Sequence, residues 1–314
     1  MHALVLGGYG AVGALTTAAL REAGHTVSTA GRDPRRADRP CDLAETGLRG
    51  YRDALDGVDV VVNASGAEDP ALVSAATDRG CAFVDATATT DYVRALEELR
   101  PRSPVLLSVG LAPGLTNLLA AAVHDHSPGG DPLDLAVVLG AGEEHGEAAT
   151  AWSLGLLGRT FPDPATGAPV RNLTRGRAFD LPGLGRRRLY RADFSDQHTL
   201  TRDLGRPVRT RFGLDSRMLT AGLALLTRVP GASRAATGIH ALGTDAWVVL
   251  AQAGRARRWA HGHGQSRATA HITAWAAALV EGLDAGVHHL HETARLDDLP
   301  EDLPLTVGGA DRTG

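Results

Sequence analysis

The chain has 314 residues, which is enough for one or two domains with a sizeable core. Hydrophobic residues make up 43% of it and charged residues 22%, and the formal net charge is -4, so no overall basic field indicates a nucleic-acid-binding protein. With only two cysteines, Cys41 and Cys81, the chain has neither a disulfide framework nor a cysteine-based metal site, and we expect no metal.

Two further features narrow the possible chemistry. All 32 Lys+Arg residues are arginines, which excludes a Schiff base, a lysine general base and a Tyr-x-x-x-Lys pair. The N-terminus starts a strand rather than a signal peptide, and the longest apolar stretches are shorter than a membrane span. We therefore expect a cytoplasmic protein that acts on a small-molecule substrate and binds neither nucleic acid nor a membrane.

The first third of the chain alternates between short apolar runs and amphipathic segments. The segment 41–45 is either a short third strand or the end of one. Valine- and leucine-rich strands that alternate with helices indicate βαβ units and a parallel sheet covered on both faces. The other predicted strands are 2–8, 25–32, 58–66, 82–88 and 104–110, and the predicted helices are 11–24, 47–57, 70–80 and 90–100.

The regular alternation of predicted strands and helices ends near residue 122. Residues 238–266 alternate like antiparallel strands around a turn at 243–245. We expect a first domain at 1–122, a second at 123–265, and a C-terminal helix and tail at 266–305, whose return to the first domain is left open. The other predicted elements are a strand at 133–142, a helix at 147–159, a loop-rich stretch at 160–188, a helix at 217–232 and a long helix at 267–283.

A glycine-rich loop directly follows the first strand. Residues 4–13 read LVLGGYGAVG, in which Gly8, Gly10 and Gly13 fit G-x-G-x-x-G between a strand and a helix. In that setting one glycine makes a tight turn, one lets the backbone approach a pyrophosphate, and the third lets helix and strand pack closely, while the helix N-terminus offers free N–H groups. The predicted fold class is therefore α/β, with an N-terminal Rossmann-type doubly wound parallel sheet and a second α+β domain for substrate binding or dimerisation. The loop residues predicted to bind the cofactor are Gly7, Tyr9, Gly10, Ala11, Val12 and Gly13.

The end of the second strand bears on which dinucleotide binds. NAD enzymes usually place an acidic residue there for the ribose 2′-hydroxyl, whereas NADP enzymes favour an arginine nearby for the 2′-phosphate. Here the strand ends in neutral residues and Arg32 follows, which favours NADP. Asp33 is close enough to keep NAD open, although its position before Pro34 is typical of a turn residue.

Later strands also end in residues suited to line a cofactor, because ligands of open α/β sheets bind at the carboxyl ends of the strands. Small residues at these ends let a ribose lie against the backbone. Asp42, near the end of the third strand, is expected either to contact adenine or to be an ordinary loop residue. The other predicted cofactor contacts of this group are Asn63, Ala64, Ser65, Gly66 and Ala86.

The most distinctive stretch is SVGLAPGLTNLLAAAV at 108–123. It resembles the Gly-x-x-Pro-Gly-x-x-Asn/His-x-x-Ala segment of the saccharopine dehydrogenase-like family, whose relatives include saccharopine reductase, homospermidine synthase and carboxynorspermidine synthase. The matching residues are Gly110, Pro113, Gly114 and Asn117, and the resemblance extends over residues 1–125. It implies hydride transfer between a nicotinamide cofactor and a C=N bond of a small amino-acid-like or biosynthetic intermediate. Gly110, Pro113 and Gly114 are then expected at the cofactor, and Asn117 at the substrate.

The remaining candidates for substrate contact come from beyond that stretch. Histidine titrates near neutral pH, so His145 in GEEHGEAATAW (142–152) is a candidate proton donor, and Glu147 can hold an iminium or ammonium group. Acidic residues are also common at a helix N-terminus, so a purely structural role stays open. Trp152 is a candidate pocket wall or a core residue, and Arg211 a candidate clamp for a substrate carboxylate.

Other interpretations of the same residues stay open. A C=C or C=O reductase uses the same scaffold, and a non-catalytic NADPH-binding sensor would keep the glycine loop. A short-chain reductase needs a Tyr-x-x-x-Lys pair, which a chain without lysine lacks. The small-residue helix at 268–280 is expected to pack against a partner subunit in a homodimer, and the histidine-rich segment 286–292 to be a surface or interdomain contact.

Overall fold

The computed structural model describes residues 1–143, 154–229 and 243–310, and the chain divides into two units. The opening stretch of the first unit ends at Gly114, ahead of the boundary predicted near residue 122, and the helix predicted at 267–283 belongs to this unit. The first unit comprises Met1–Gly114, Ser266–Ala294 and Pro300–Leu303, and the second comprises Leu115–Gln265, Arg295–Leu299 and Pro304–Gly314.

The described residues form strands and helices with the following bounds. The strands are β1 (His2–Leu6), β2 (Thr26–Gly31), β3 (Arg39–Pro40), β4 (Val60–Asn63), β5 (Ala82–Asp85), β6 (Pro104–Leu107), β7 (Leu133–Leu139), β8 (Thr160–Pro162), β9 (Pro169–Arg171), β10 (Thr174–Leu181), β11 (Gly185–Arg191), β12 (Val208–Leu214), β13 (Ala246–Ala253), β14 (Ala256–His263), β15 (Gly286–His289) and β16 (Leu305–Ala310). The helices are α1 (Ala11–Glu22), α2 (Arg49–Ala54), α3 (Pro70–Thr77), α4 (Thr90–Glu97), α5 (Leu115–His126), α6 (Ser195–Asp203), α7 (Arg217–Leu226), α8 (Gln265–Leu279) and α9 (Leu290–Thr293).

Parallel strands form the seven-stranded sheet of the first unit, in the order β15-β6-β5-β4-β1-β2-β3. Counted from the β3 edge, strands β1 to β6 lie in the spatial order 3-2-1-4-5-6, which is that of doubly wound nucleotide-binding sheets. Strand β3 is shorter and earlier than the predicted segment 41–45. The chain turns there because the carboxylate of Asp42 accepts from Ala44 N–H and its carbonyl accepts from Glu45 N–H.

The core of the first unit explains why its strands are continuous apolar runs. Every residue of β4 and β5 is buried, as expected for strands covered on both faces. Leu4, Leu72 and Phe83 are fully buried members of one hydrophobic cluster. Burying a side chain of this size contributes about 1.5–3 kcal/mol. This packing fixes the carboxyl ends of the strands, where the loops predicted to bind the cofactor begin.

Strand β15 is a part of the first sheet that the sequence pattern does not indicate. It pairs in parallel with β6, with Gly286 opposite Pro104 and His289 opposite Leu107. The expectation of a surface or interdomain contact is wrong for His289, whose side chain is buried within the unit. The run GVHH is too short and too polar for its pattern to distinguish a strand from a loop.

The second unit contains a seven-stranded mixed sheet in the order β10-β11-β12-β7-β13-β14-β16. Strands β12 and β7 run parallel, and the other neighbours are antiparallel. A two-stranded sheet of β8 and β9 accompanies it. The predicted fold class, α/β with a parallel N-terminal sheet and a second unit of its own, is confirmed.

The hairpin of β13 and β14 corrects one detail of the second unit. Its strands pair from Ala246 opposite His263 to Ala253 opposite Ala256, so the turn lies at 254–255 rather than at 243–245. Gly254 adopts φ 58° in this turn, a conformation that glycine tolerates without strain. The segment 238–266 contains several glycines, and its pattern does not by itself mark which of them makes the turn.

The small residues of α8 are buried within this chain. Ala268, Ala270 and Ala276 have no exposed surface, and the Thr273 hydroxyl donates to the carbonyl of Val109 at 3.1 Å. The homodimer predicted from this helix stays a prediction. Of the helices in the described part of the chain, none is long and apolar enough to cross a membrane.

Candidate functional site

The glycine loop joins β1 to α1 at the carboxyl edge of the first sheet. Gly7 has φ 71°, and its N–H donates to the carbonyl of Ala30 at 2.8 Å, so the chain turns sharply beside β2. A Cβ on Gly7 would lie 2.7 Å from Ser65 Cα, and a Cβ on Gly13 would lie 2.1 Å from the carbonyl oxygen of Gly7. Both positions therefore require glycine, the first for the turn and the second for close packing of helix on strand.

The N-terminus of α1 is open to an anion. Its N-cap, Gly10, has no side-chain hydrogen bond, and the first turn contains no acidic residue. The first N–H groups of a helix have no acceptor within the helix, and the aligned peptide dipoles favour negative charge at this end. Gly10 and Ala11 are exposed and Val12 is half-buried, so the backbone here is accessible to a pyrophosphate.

Tyr9 carries the largest side chain of the loop and packs towards the end of β2. A Cβ on Gly31 would lie 2.5 Å from Tyr9 Oη, so the tyrosine covers this glycine. The hydroxyl accepts from Asp33 N–H at 3.1 Å. The guanidinium carbon of Arg36 lies 4.4 Å from the centre of the tyrosine ring, and Nη2 donates to the Tyr9 carbonyl at 2.9 Å. This cation–π contact holds Arg36 beside the loop.

Arg32, predicted to hold a 2′-phosphate, is exposed directly after β2. The strand itself ends in the neutral residues Ala30 and Gly31. Arg39, further along, is structural, because its Nη1 donates to the carbonyls of Ala54 and Asp56 at 2.7 Å each. The arginines after β2 are therefore not equivalent, and Arg32 is the one that immediately follows the strand.

Two carboxylates near the end of β2 are engaged in local structure. Asp33 Oδ1 accepts from Arg35 N–H at 2.9 Å, which confirms its interpretation as a turn residue. Asp38, which the sequence analysis does not single out, accepts from the Thr29 N–H at 2.8 Å and from the Thr29 hydroxyl at 2.9 Å. The hydrogen bond from the Thr29 N–H is the main cause that lowers the pKa of Asp38.

Asn63 and Asp85, at the ends of β4 and β5, form a buried hydrogen-bond network. Asn63 Nδ2 and the Tyr92 hydroxyl donate to Asp85 Oδ2, at 2.9 and 3.0 Å. Asp85 Oδ1 accepts from Thr87 N–H at 2.8 Å. Burial raises the pKa of Asp85, and the hydrogen bonds oppose that shift. The network ties together two strand ends at which cofactor contacts are predicted.

The side-chain oxygen of Asn63 holds the loop that follows β4. Asn63 Oδ1 accepts from the Ser65 N–H at 3.2 Å and from the Ser65 hydroxyl at 2.7 Å. Ala64 and Ser65 are half-buried, and Gly66 is exposed with φ 75°. Ala86 is half-buried after the neighbouring strand β5. The structure therefore brings these predicted residues together along one edge of the sheet, with small side chains.

Ser108 follows β6 in a left-handed conformation, with φ 58°. Its hydroxyl hydrogen-bonds His289 Nδ1 at 3.0 Å, and His289 Nε2 contacts Glu97 Oε1 at 3.0 Å. Ser108 is 1% exposed and His289 is 2% exposed, so the hydrogen bond between them is buried. A positive φ outside glycine costs about 1–3 kcal/mol, which the surrounding structure must offset. No local pattern could reveal this pair, because the two residues are 181 positions apart.

Residues 110–114 fold back on themselves at the same edge. Gly110 N–H donates to the carbonyl of Pro113 at 2.9 Å. Gly114 has φ 138°, and a Cβ on it would lie 2.0 Å from the carbonyl oxygen of Gly110. Thr269 of α8 also packs here, since its Cγ2 would lie 3.3 Å from a Cβ on Gly110. Three of the four residues matched by family resemblance, Gly110, Pro113 and Gly114, thus lie in one buried, tight loop after β6.

Three other predicted residues have different surroundings. Asp42 is exposed in the turn after β3, where its Oδ1 accepts from Ala44 N–H at 3.1 Å. Asn117 is fully buried in α5, and Arg211 is buried in β12, where it pairs with Asp134. The last two belong to the second unit. The contact of Asp42 with adenine and the substrate roles of Asn117 and Arg211 stay predictions.

His145, Glu147 and Trp152 lie outside the described residues. Their roles as proton donor, cation holder and pocket wall therefore stay predictions. Glu143, just before them, is described, and its Oε2 accepts from Gln265 N–H at 2.6 Å. Within the ranges that the structure describes, no group of three or more His, Cys, Asp and Glu side chains is arranged to hold a metal ion.

Comparisons with known proteins identify a fold. No family model matches the sequence, and no curated protein matches it. Among solved structures, apo histidine-tagged saccharopine dehydrogenase (L-Glu forming) from Saccharomyces cerevisiae matches with a TM-score of 0.60, over 98% of this chain and 99% of that chain, at 10% identity. Dipicolinate-bound dihydrodipicolinate reductase from Paenisporosarcina sp. TG-14 matches with a TM-score of 0.43, over 94% of this chain and 99% of that chain, at 8% identity. The chain therefore shares the fold of the yeast saccharopine dehydrogenase.

Proposed function

We propose that this protein is an NADP-dependent oxidoreductase that transfers a hydride to or from the C=N bond of a small amino-acid-like or biosynthetic intermediate. The observation that carries the proposal is the glycine loop, where Gly7 and Gly13 leave no room for a Cβ and the N-terminus of α1 is uncapped by any side chain. The loop follows the central strand β1 of a 3-2-1-4-5-6 sheet, at the carboxyl edge where such sheets bind dinucleotides.

The residues of this edge have distinct roles in the proposal. The N–H groups at Ala11 and Val12, the first of α1, hold the pyrophosphate through hydrogen bonds and the helix dipole. Arg32 and Arg36 hold the 2′-phosphate, because guanidinium groups bind phosphate oxygens in pairs. The buried loop at 110–114 keeps water away from the end of β6. The nicotinamide, when bound, supplies or accepts the hydride.

Two observations support a C=N substrate. The segment 108–123 resembles the saccharopine dehydrogenase-like family, and the whole chain shares the fold of a saccharopine dehydrogenase. Reduction of a C=N bond adds a hydride to carbon and a proton to nitrogen, so the proposal needs an acid near the nitrogen. His145 is proposed to deliver that proton and Glu147 to hold the cationic nitrogen. The residues proposed to contact the substrate are Asn117, Trp152 and Arg211.

Calorimetry with NADPH and NADH on the full chain tests the cofactor. Arg32→Ala should weaken NADPH binding at least about tenfold and leave NADH binding unchanged, because a hydrogen bond to a charged group contributes about 1.5–3 kcal/mol. Arg102→Ala is the matched control, since the Arg102 side chain is 81% exposed just before β6, at the opposite edge of the sheet. Absence of heat with both nucleotides on folded protein would overturn the proposal, and a preference for NADH would overturn the choice of NADP.

Turnover assays separate C=N reduction from the alternatives. A panel of imines, enones and ketones with NADPH should give cofactor oxidation with imines. His145→Ala and Glu147→Ala should lose turnover and retain NADPH affinity, measured separately by calorimetry. Turnover with enones or ketones alone would favour a C=C or C=O reductase. NADPH binding without turnover on the whole panel would favour a sensor.

A further inference from the structure

A cavity in the second unit is rich in arginine. Its volume is about 230 Å³. The mixed sheet supplies all of the guanidinium groups, from the three neighbouring strands β10, β11 and β12. A single carboxylate, from the turn between β8 and β9, lines the cavity with them. The described residues around it are Asp163, Thr166, Arg175, Arg191, Arg209 and Arg211.

The pairing register of β11 and β12 places arginines of the two strands side by side. Arg191 on β11 lies directly opposite Arg211 on β12. Arg209 precedes Arg211 by two positions, so both project from the same face of β12. Like charges directly opposite each other on neighbouring strands destabilise a sheet. The arrangement therefore needs compensating negative charge.

Two aspartates supply part of that charge. Asp163 Oδ2 accepts from Arg191 Nη1 at 2.8 Å, and both side chains are buried. Asp134 on β7 pairs with Arg211 and with Arg177. Each carboxylate is therefore already paired with one or two arginines.

An excess of positive charge remains after these pairs are formed. Of the ion pairs in the described part of the chain, none involves Arg175 or Arg209. The Nε atoms of Arg191 and Arg211 are buried without an acceptor. Burial and the charges of Arg191, Arg177 and Arg209 lower the pKa of Arg211 to about 9. The guanidinium groups stay charged at neutral pH, so this face of the cavity is cationic.

We propose that this cavity binds a small oxyanion with two negative charges, a class that includes inorganic phosphate and short dicarboxylates. Arg175 and Arg209 line the cavity, and each can bind a pair of oxygens through its planar fork. The volume suits such an ion and is below the roughly 300–1,000 Å³ of pockets for drug-sized ligands. The inference shares Arg211 with the substrate contacts proposed above, but it requires neither the nucleotide nor a redox reaction.

Asp163 does not oppose this assignment. Its oxygens accept from Arg191 Nη1, from Ala165 N–H at 3.2 Å and from the Thr166 hydroxyl at 3.3 Å. Burial would raise the pKa of Asp163, but the hydrogen bond and charge of Arg191 outweigh it and lower that pKa. The carboxylate therefore stays ionised and already has its partners, so the cavity attracts an anion rather than a cation.

Thermal unfolding and calorimetry on the full chain test the proposal. Sodium phosphate, malonate and succinate are compared with chloride and acetate at constant ionic strength and without nucleotide. The dianions should raise Tm and bind saturably, and the monoanions should not. Arg209→Gln and Arg175→Gln should each weaken dianion binding at least about tenfold, as expected for a lost charge-assisted contact. Arg255→Gln, in the exposed turn between β13 and β14, is the matched control and should bind like the wild type.

The outcomes separate the sources of the anion and the two proposals. Binding of phosphate alone assigns the cavity to phosphate, and binding of malonate or succinate alone assigns it to carboxylates. An equal response to monoanions and dianions, or an equal loss in Arg255→Gln, would overturn the proposal. NADPH calorimetry on the same samples separates the anion proposal from the nucleotide proposal. Arg209→Gln should lose dianion binding and bind NADPH like the wild type. If one glutamine variant fails to fold, the other decides, since neither arginine belongs to an ion pair in the described structure.

Discussion

The two units differ in the groups that are proposed to bind an anion. At the edge of the first sheet, the donors are backbone N–H groups of a loop and a helix N-terminus, within the contiguous residues 7–13. In the second unit, the donors are guanidinium groups from three strands. A backbone site adds no net charge to the fold. An arginine cluster that includes the buried Arg191 and Arg211 adds several charges, and it is stable only with carboxylates such as Asp134 and Asp163 beside it.

This contrast predicts opposite sensitivities to substitution. In the first unit, adding a side chain should do the damage, because the loop has no room for a Cβ at Gly7 or Gly13. In the second unit, removing a carboxylate should do the damage, because the buried arginines depend on it for their partner. Two of the three experiments below test the contrast, and the other measures the titration of one buried carboxylate.

The largest effect is expected from Asp163→Asn. The substitution leaves the buried guanidinium of Arg191 without its carboxylate, and breaking a buried ion pair costs about 3–5 kcal/mol. Urea unfolding followed by circular dichroism measures the loss in unfolding free energy. Asp180→Asn, on the exposed side of β10, is the matched control and should change stability by less than about 0.5 kcal/mol. If the two variants were equally stable, the cluster would not depend on charge balance and the contrast would fail.

A somewhat smaller effect, visible as a pH dependence, is expected from Asp196→Asn. Asp196 is fully buried and accepts from the hydroxyls of Thr116 at 3.0 Å and Thr210 at 2.6 Å. Burial raises its pKa from 3.8 to about 6. Because the pKa is higher in the folded state, folding favours the protonated form. That stabilisation is complete below about pH 4 and is lost as the pH rises through about 6, a change of about 3 kcal/mol.

Unfolding at a series of pH values measures this difference. The wild type should lose stability between about pH 4 and 7 relative to Asp196→Asn, whose amide does not titrate. Asp163 should behave in the opposite sense, because Arg191 lowers its pKa, so its contribution is lost as the pH falls. Parallel pH profiles of the wild type and Asp196→Asn would contradict the assignment.

The smallest loss of stability is expected from Gly13→Ala in the first unit. The added methyl group would lie 2.1 Å from the carbonyl oxygen of Gly7, so the loop must move, and overpacking of this kind costs about 1–3 kcal/mol. Under the proposed function, the heat of NADPH binding should disappear as well. Gly129→Ala is the matched control, because nothing lies within 4 Å of its added Cβ. Unchanged nucleotide binding in Gly13→Ala would show that the close approach of helix and strand is not needed.

The sequence predicts the first unit well because its determinants are local. Strands such as β4 are contiguous apolar runs, and the requirement for glycine at residues 7 and 13 follows from one turn. The packing of Tyr9 over Gly31, and its contact with Arg36, could not be predicted in the same way. They depend on how the loop meets β2, and no periodicity in either segment expresses that.

The sequence predicts much less of the arginine cavity. Arg211 can be singled out as a candidate for binding a carboxylate, but its neighbours depend on which residues face each other across β11 and β12. Register of this kind is a long-range property, and a shift of one residue would turn Arg191 to the other face. In a chain whose basic residues are all arginine, composition alone cannot indicate which of them are buried together.

The position of β15 has a consequence for how the molecule is made. Synthesis runs from the N-terminus, so β1 to β6 leave the ribosome long before Gly286–His289. Until that segment is made, β6 is an edge strand with unpaired backbone N–H and C=O groups. Edge strands of this kind promote aggregation between chains. The edge of β6 therefore stays unpaired while the residues between β6 and β15 are translated. The sheet that is begun first is therefore completed only near the end of translation, after most of the second unit has been made.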